Sequence, residues 1–180
     1  MKKRSIIGVL AGGLMAAMLP GAAAAQNDAE GTMTWANNPT CRADQEVAWS
    51  LPPCEQDPDT GILTLPFVNP DKMTGTFDGV QVREGVLEFD VGNADFTYSA
   101  RALFMGTVEG CGSGTVYFEV SGEGGHDADN VATFGSNTFT AVPGGTLPVV
   151  GSLDMSGTEV RNDDGTNTVS YTGSYGCDPE

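Results

Sequence analysis

The feature that most constrains this chain is a two-residue alternation of apolar and polar side chains, broken repeatedly by Gly, Asn, Asp and Pro. Beyond the first 25 residues no segment keeps the 3.6-residue period of an amphipathic helix. A period of two places successive side chains on opposite faces of a strand, so the chain reads as all-β. The pattern is clearest over residues 96–108. There Phe96, Tyr98, Ala100, Ala102, Phe104, Gly106 and Val108 alternate with Thr97, Ser99, Arg101, Leu103, Met105 and Thr107. A strand of that length is expected to carry a bulge or bend near Ala100–Ala102 or Gly106. The glycine-rich turn at 110–114 then leads into a second strand, with Val116, Phe118 and Val120 on one face. Shorter alternations occupy residues 73–78, 87–91, 153–156 and 169–175, and Asp163-Asp164-Gly165 supplies a hairpin turn. Roughly eight strands with one apolar face each predict an antiparallel β-barrel, with a two-sheet β-sandwich as the alternative.

The segment before residue 73 is less regular and rich in Pro, Asn and Asp. It reads as an entry strand around Thr32 to Trp35, a stapled loop, and a strand near Ile62 to Leu65. The expected organisation is a leader over 1–25, this entry and loop region over 26–72, and the barrel core over 73–180. The last two form a single domain. The leader reading rests on Lys2-Lys3-Arg4, an apolar run from Ile6 to Leu19, and Ala22-Ala23-Ala24-Ala25 as a cleavage site. The apolar run is shorter than the roughly 20 residues of a spanning helix, so export is expected rather than membrane insertion. Cleavage after Ala25 leaves five basic residues against 24 acidic ones, a net charge of −19. A surface of that sign repels phosphate backbones and anionic headgroups, which argues against nucleic acid and membrane surfaces as partners.

Four cysteines in an exported chain imply two disulfides. Of the three possible connectivities, Cys41–Cys54 with Cys111–Cys177 is favoured, because Cys41 and Cys54 flank a short Pro-rich segment. No paired CxxC is present and His126 is the only histidine, which argues against zinc.

Three glycine-rich segments carry a family resemblance: Met73-Thr74-Gly75-Thr76-Phe77; Phe104-Met105-Gly106-Thr107-Val108-Glu109-Gly110; and Val142-Pro143-Gly144-Gly145-Thr146 leading to Gly151-Ser152-Leu153. Their order over residues 73–176 resembles bacterial domains of the allene oxide cyclase barrel group. The resemblance implies a small eight-stranded barrel. None of the cyclase's catalytic positions has a match in this chain.

No catalytic set emerges from the residues themselves. His126 lies in an acidic Gly-rich turn, no G-x-S-x-G elbow is present, and Glu88, Asp90, Glu109 and Glu119 read as solvated carboxylates on strand faces. Among metals, calcium has the best oxygen ligands, at Asp127, Asp129 and Asn130; otherwise no cofactor is expected. Phe77, Phe89, Tyr98, Phe104 and Phe118 are the side chains expected to line a ligand pocket, with Ala100, Ala102 and Gly106 leaving room. The expected function is that of a secreted, non-enzymatic barrel that holds a small apolar ligand, either monomeric or weakly associating. Two alternatives remain: a cyclase or isomerase working in the barrel, which requires an inward polar group, and a calcium-bridged surface protein.

Overall fold

The computed structural model describes residues 26–36 and 54–177. Its strands, in chain order, are β1 (Asn27–Ala36), β2 (Glu55–Gln56), β3 (Ile62–Gly75), β4 (Phe77–Asp90), β5 (Asp95–Val108), β6 (Gly112–His126), β7 (Ala132–Val142), β8 (Val149–Met155), β9 (Gly157–Thr158), β10 (Val160–Arg161) and β11 (Thr166–Cys177). β1, β3–β8 and β11 pair antiparallel in a continuous path, and pairing of β1 with β3 closes it into an eight-stranded barrel. That closure rules out the sandwich. β2, β9 and β10 lie outside the ring, on β3, β7 and β11 respectively.

The long alternating segment forms β5, and its hairpin with β6 runs in unbroken register from Val108–Gly112 to Asp95–Gly125. The bulge expected in β5 is absent. The register shift falls instead between Gly122 and Gly124, where β6 meets β7. Gly106 of β5 stands between Gly79 of β4 and Gly114 of β6. This row has no side chains, and a Cβ at Gly106 would collide with the Gly79 backbone and the Phe104 ring. Leu103 and Met105, the two apolar residues in the polar phase of β5, lie on the outer wall, where Leu103 pairs with Val82 and Tyr117.

The alternation over residues 73–78 is not one strand but a corner. Gly75 adopts φ +97°, the chain reverses at Thr76, and β4 begins at Phe77. Thr76 secures the corner: its Oγ1 accepts the Glu30 N–H, and its own N–H donates to the Glu30 carbonyl. β3 extends well beyond the Ile62–Leu65 expectation, through Pro66 and Pro70. These prolines are tolerated because β3 pairs β2 only at Leu63–Thr64 and β1 only at Asp71–Gly75. Between those contacts one edge of β3 is unpaired among the described residues, so the missing N–H groups break no ladder on that side.

The Cys111–Cys177 disulfide is present, with its Cα atoms 5.4 Å apart. It ties the β5–β6 turn to the end of β11. Cys54 is also disulfide-bonded, whereas Cys41 and the expected leader lie outside the described residues.

Candidate functional site

Inward-facing residues divide the barrel into two halves. One end is filled by rings packed edge to face around Phe77, whose centroid lies 5.4 Å from Phe104, 5.9 Å from Phe118, 5.8 Å from Tyr175 and 6.4 Å from Tyr171. Met33, Met73, Leu153 and Met155 complete this fully buried core. Three of the five residues expected to line a pocket (Phe77, Phe104 and Phe118) therefore sit in packed core. Phe89 packs on the His126 ring at 5.6 Å.

Tyr98 lies at the other end, where the barrel opens into a cup of about 150 Å³. Its walls are Trp35 from β1, Phe67 from β3, Leu87 from β4, Phe96 and Tyr98 from β5, and Phe134 from β7. Arg83 forms part of the cup wall, and His126, Asn130, Glu159, Arg161 and Asn167 also line the cup. Glu159 lies on the strap between β9 and β10. Its Oε1 accepts the Ala132 N–H at 3.1 Å and lies 3.6 Å from Arg161 Nε.

Between cup and core lies a polar layer built by β3 and β4. Asp71 is buried with its side chain fully enclosed, and Arg83 grips it with both arms, Nε to Oδ2 at 2.6 Å and Nη2 to Oδ1 at 2.9 Å. Gln81 donates a third hydrogen bond to Asp71 Oδ2 at 3.2 Å. The guanidinium lies 5.7 Å from the centre of the Trp35 ring. Ala102 stands opposite Arg83 and Ala100 opposite Gly85, so the small residues of β5 give width to the bulky cation.

Burial opposes the charge on Arg83, but the Asp71 carboxylate more than offsets it and holds the guanidinium pKa above its usual value. Burial pushes the Tyr98 hydroxyl up to about 12, despite the opposing effect of the nearby Arg83 charge. That hydroxyl makes no hydrogen bond of good geometry, and Gln81 Oε1, Asn137 Oδ1 and His126 Nδ1 are likewise buried and unpartnered. Of these four, Tyr98 and His126 line the cup.

Sequence reading missed Asp71, Gln81 and Arg83. A signal was nonetheless present: counting by twos from Phe77 to Phe89 passes through Gln81 and Arg83, and counting back from Met73 reaches Asp71. Val80, Val82 and Val86 masked the phase, because apolar residues on the outer wall imitate the inner one.

The loop expected to bind calcium is held by its own backbone. Asp127 Oδ1 accepts the N–H groups of Asp129 and Val131 at 2.9 Å each, and Asn130 takes φ +60°. The carbonyls of Asp129 and Asn130 accept hydrogen bonds from Arg161. Among the described residues, no group of three or more His, Cys, Asp or Glu is placed to hold a metal ion. No protein-family model, curated protein or solved structure matches the chain.

Proposed function

We propose that this barrel is an exported binding protein, and that it holds a small, mainly apolar molecule in the cup. The observation carrying the reading is the cavity itself, ringed by Trp35, Phe67, Leu87, Phe96, Tyr98 and Phe134. A volume of about 150 Å³ is enough to admit benzene, and polar side chains such as Arg83, His126 and Asn167 share the lining with the rings. Ligand sites of barrels commonly lie in such mouths, apolar in their walls with a few polar groups to fix orientation. Export is supported by the Cys111–Cys177 disulfide, which suits an oxidising compartment. A second reading, turnover of the bound molecule, is favoured by one observation: Arg83 and the adjacent Tyr98 hydroxyl supply the inward polar groups that such chemistry needs.

The test is titration of the mature protein with toluene and indole, followed by ligand-observed NMR. Saturable uptake that disappears in Ala132→Phe, a variant that fills the cup, is the expected result. Circular dichroism would confirm that the variant is folded. Absence of saturable uptake in the unmodified protein overturns the reading.

A further inference from the structure

Charge is unevenly distributed around the cup. In a chain with 24 acidic side chains, Glu159 is the one acidic side chain lining it among the described residues, alongside Arg83, Arg161 and the sole histidine, His126. Glu159 is already engaged by the Ala132 N–H and by Arg161. Asp71 lies behind Arg83 and does not line the cup. The buried ion pair therefore behaves as an oriented dipole with its positive end toward the cavity. Because Asp71 takes Nε and Nη2, the Nη1 edge of the guanidinium is left without a well-aligned hydrogen bond among the described residues. The Tyr98 hydroxyl lies against the guanidinium and interacts with it without a well-aligned hydrogen bond, on a residue 7% exposed.

A cationic N–H edge next to a hydroxyl donor, both desolvated, is complementary to a carboxylate. The surrounding rings accept a flat apolar body. We propose that the occupant is a small monocarboxylate of about benzoate size, its carboxylate docked on the Arg83 Nη1 edge and the Tyr98 hydroxyl. This rests on the cup being a binding site, as argued above. The chain's negative charge does not prevent it, because charges beyond roughly 8–10 Å are screened at physiological ionic strength, and the cup's own side chains sum to no net negative charge. A neutral apolar guest still fits among the rings but leaves the guanidinium edge and the Tyr98 hydroxyl with only each other, so it binds more weakly than a carboxylate.

The experiment compares benzoate with benzyl alcohol by calorimetric titration of the mature protein. Benzoate is expected to bind at least about ten-fold tighter, as charge-assisted hydrogen bonds in a dry site allow. Tyr98→Phe, which keeps the ring, is expected to weaken benzoate by several fold. The double variant Arg83→Gln with Asp71→Asn removes both charges together, so neither is left buried alone; it is expected to abolish the preference. Equal binding of the two probes, or a preference that survives the double variant, overturns the carboxylate assignment and leaves the apolar-pocket reading standing. Failure of both probes to bind overturns the pocket reading along with it.

Discussion

Tyr98 is the residue whose chemistry is most altered by its place in the barrel. Its hydroxyl is enclosed beside Arg83, and its pKa rises from 10.0 to about 12, mainly through burial. The folded state thus keeps this proton above the pH at which the unfolded chain releases it. Between about pH 10 and about 12 the unfolded state binds fewer protons, so stability falls as pH rises through that window. The contribution is fully present below about pH 10, and its loss amounts to about 2–3 kcal/mol. Tyr171 and Tyr175 shift in the same direction, again through burial, and add to the slope. Urea denaturation as a function of pH, followed alongside phenolate absorbance, checks this. Tyr98→Phe is expected to flatten the alkaline decline, and a decline unchanged in that variant would contradict the assignment.

At the level of elements, the barrel is closed by small residues placed where strands approach most closely. Gly31 of β1 faces Gly75 of β3 on one side and Tyr171 of β11 on the other. A Cβ at Gly31 would overlap the Tyr171 hydroxyl and the Thr74 carbonyl. That hydroxyl joins three strands: it accepts the Phe77 N–H and donates to the Thr74 carbonyl, each at 3.0 Å. The turn from β3 into β4 is thereby fastened to β11 from within. Tyr171→Phe is expected to lower stability by about 1–3 kcal/mol, since it strands a buried Phe77 N–H. Gly31→Ala is expected to cost about 2 kcal/mol or more, because backbone must move to admit the methyl. Denaturant midpoints would measure both, and a neutral Gly31→Ala would show that the β1–β3 seam is looser than its geometry implies.

For the whole molecule, closure joins distant parts of the chain. β1 pairs β11 from Asn27–Tyr175 to Ala36–Thr166, and the seam to β3 spans only Gly31–Gly75 to Trp35–Asp71. The Cys111–Cys177 bridge spans 66 residues and holds β11 to the β5–β6 hairpin at the packed end, away from the cup. Restricting an unfolded loop of that length is worth about 4 kcal/mol on the chain-entropy estimate. Cys111→Ala with Cys177→Ala is therefore expected to lower stability by about that amount while the strand signal in circular dichroism persists. Loss of the fold itself would mean that the bridge also holds the barrel shut.

Legibility differed between fold and site for a physical reason. Alternation reports which residues share a face, so the antiparallel barrel, the β5–β6 hairpin and the Asp163–Gly165 turn could be read from the chain. It missed β7 and made a strand of the corner at Gly75–Thr76. Cysteine parity and spacing pointed to Cys111–Cys177. Alternation does not report which face turns inward when both are apolar, and Val80, Val82 and Val86 on the outer wall concealed Gln81 and Arg83 on the inner one. Nor does it separate a filled end from an open one: Phe77, Phe104 and Phe118 share the inward phase of Tyr98, yet the first three pack against each other and Tyr98 borders a cavity. That division depends on strand register around a closed ring, which sets Asp71 opposite Gln81 and leaves Arg83 to reach it diagonally. The sequence by itself determined an antiparallel β chain and its phase. Only the closed barrel decided that one buried ion pair would separate a solid core from a cup, because that boundary is made by side chains from strands far apart in the chain.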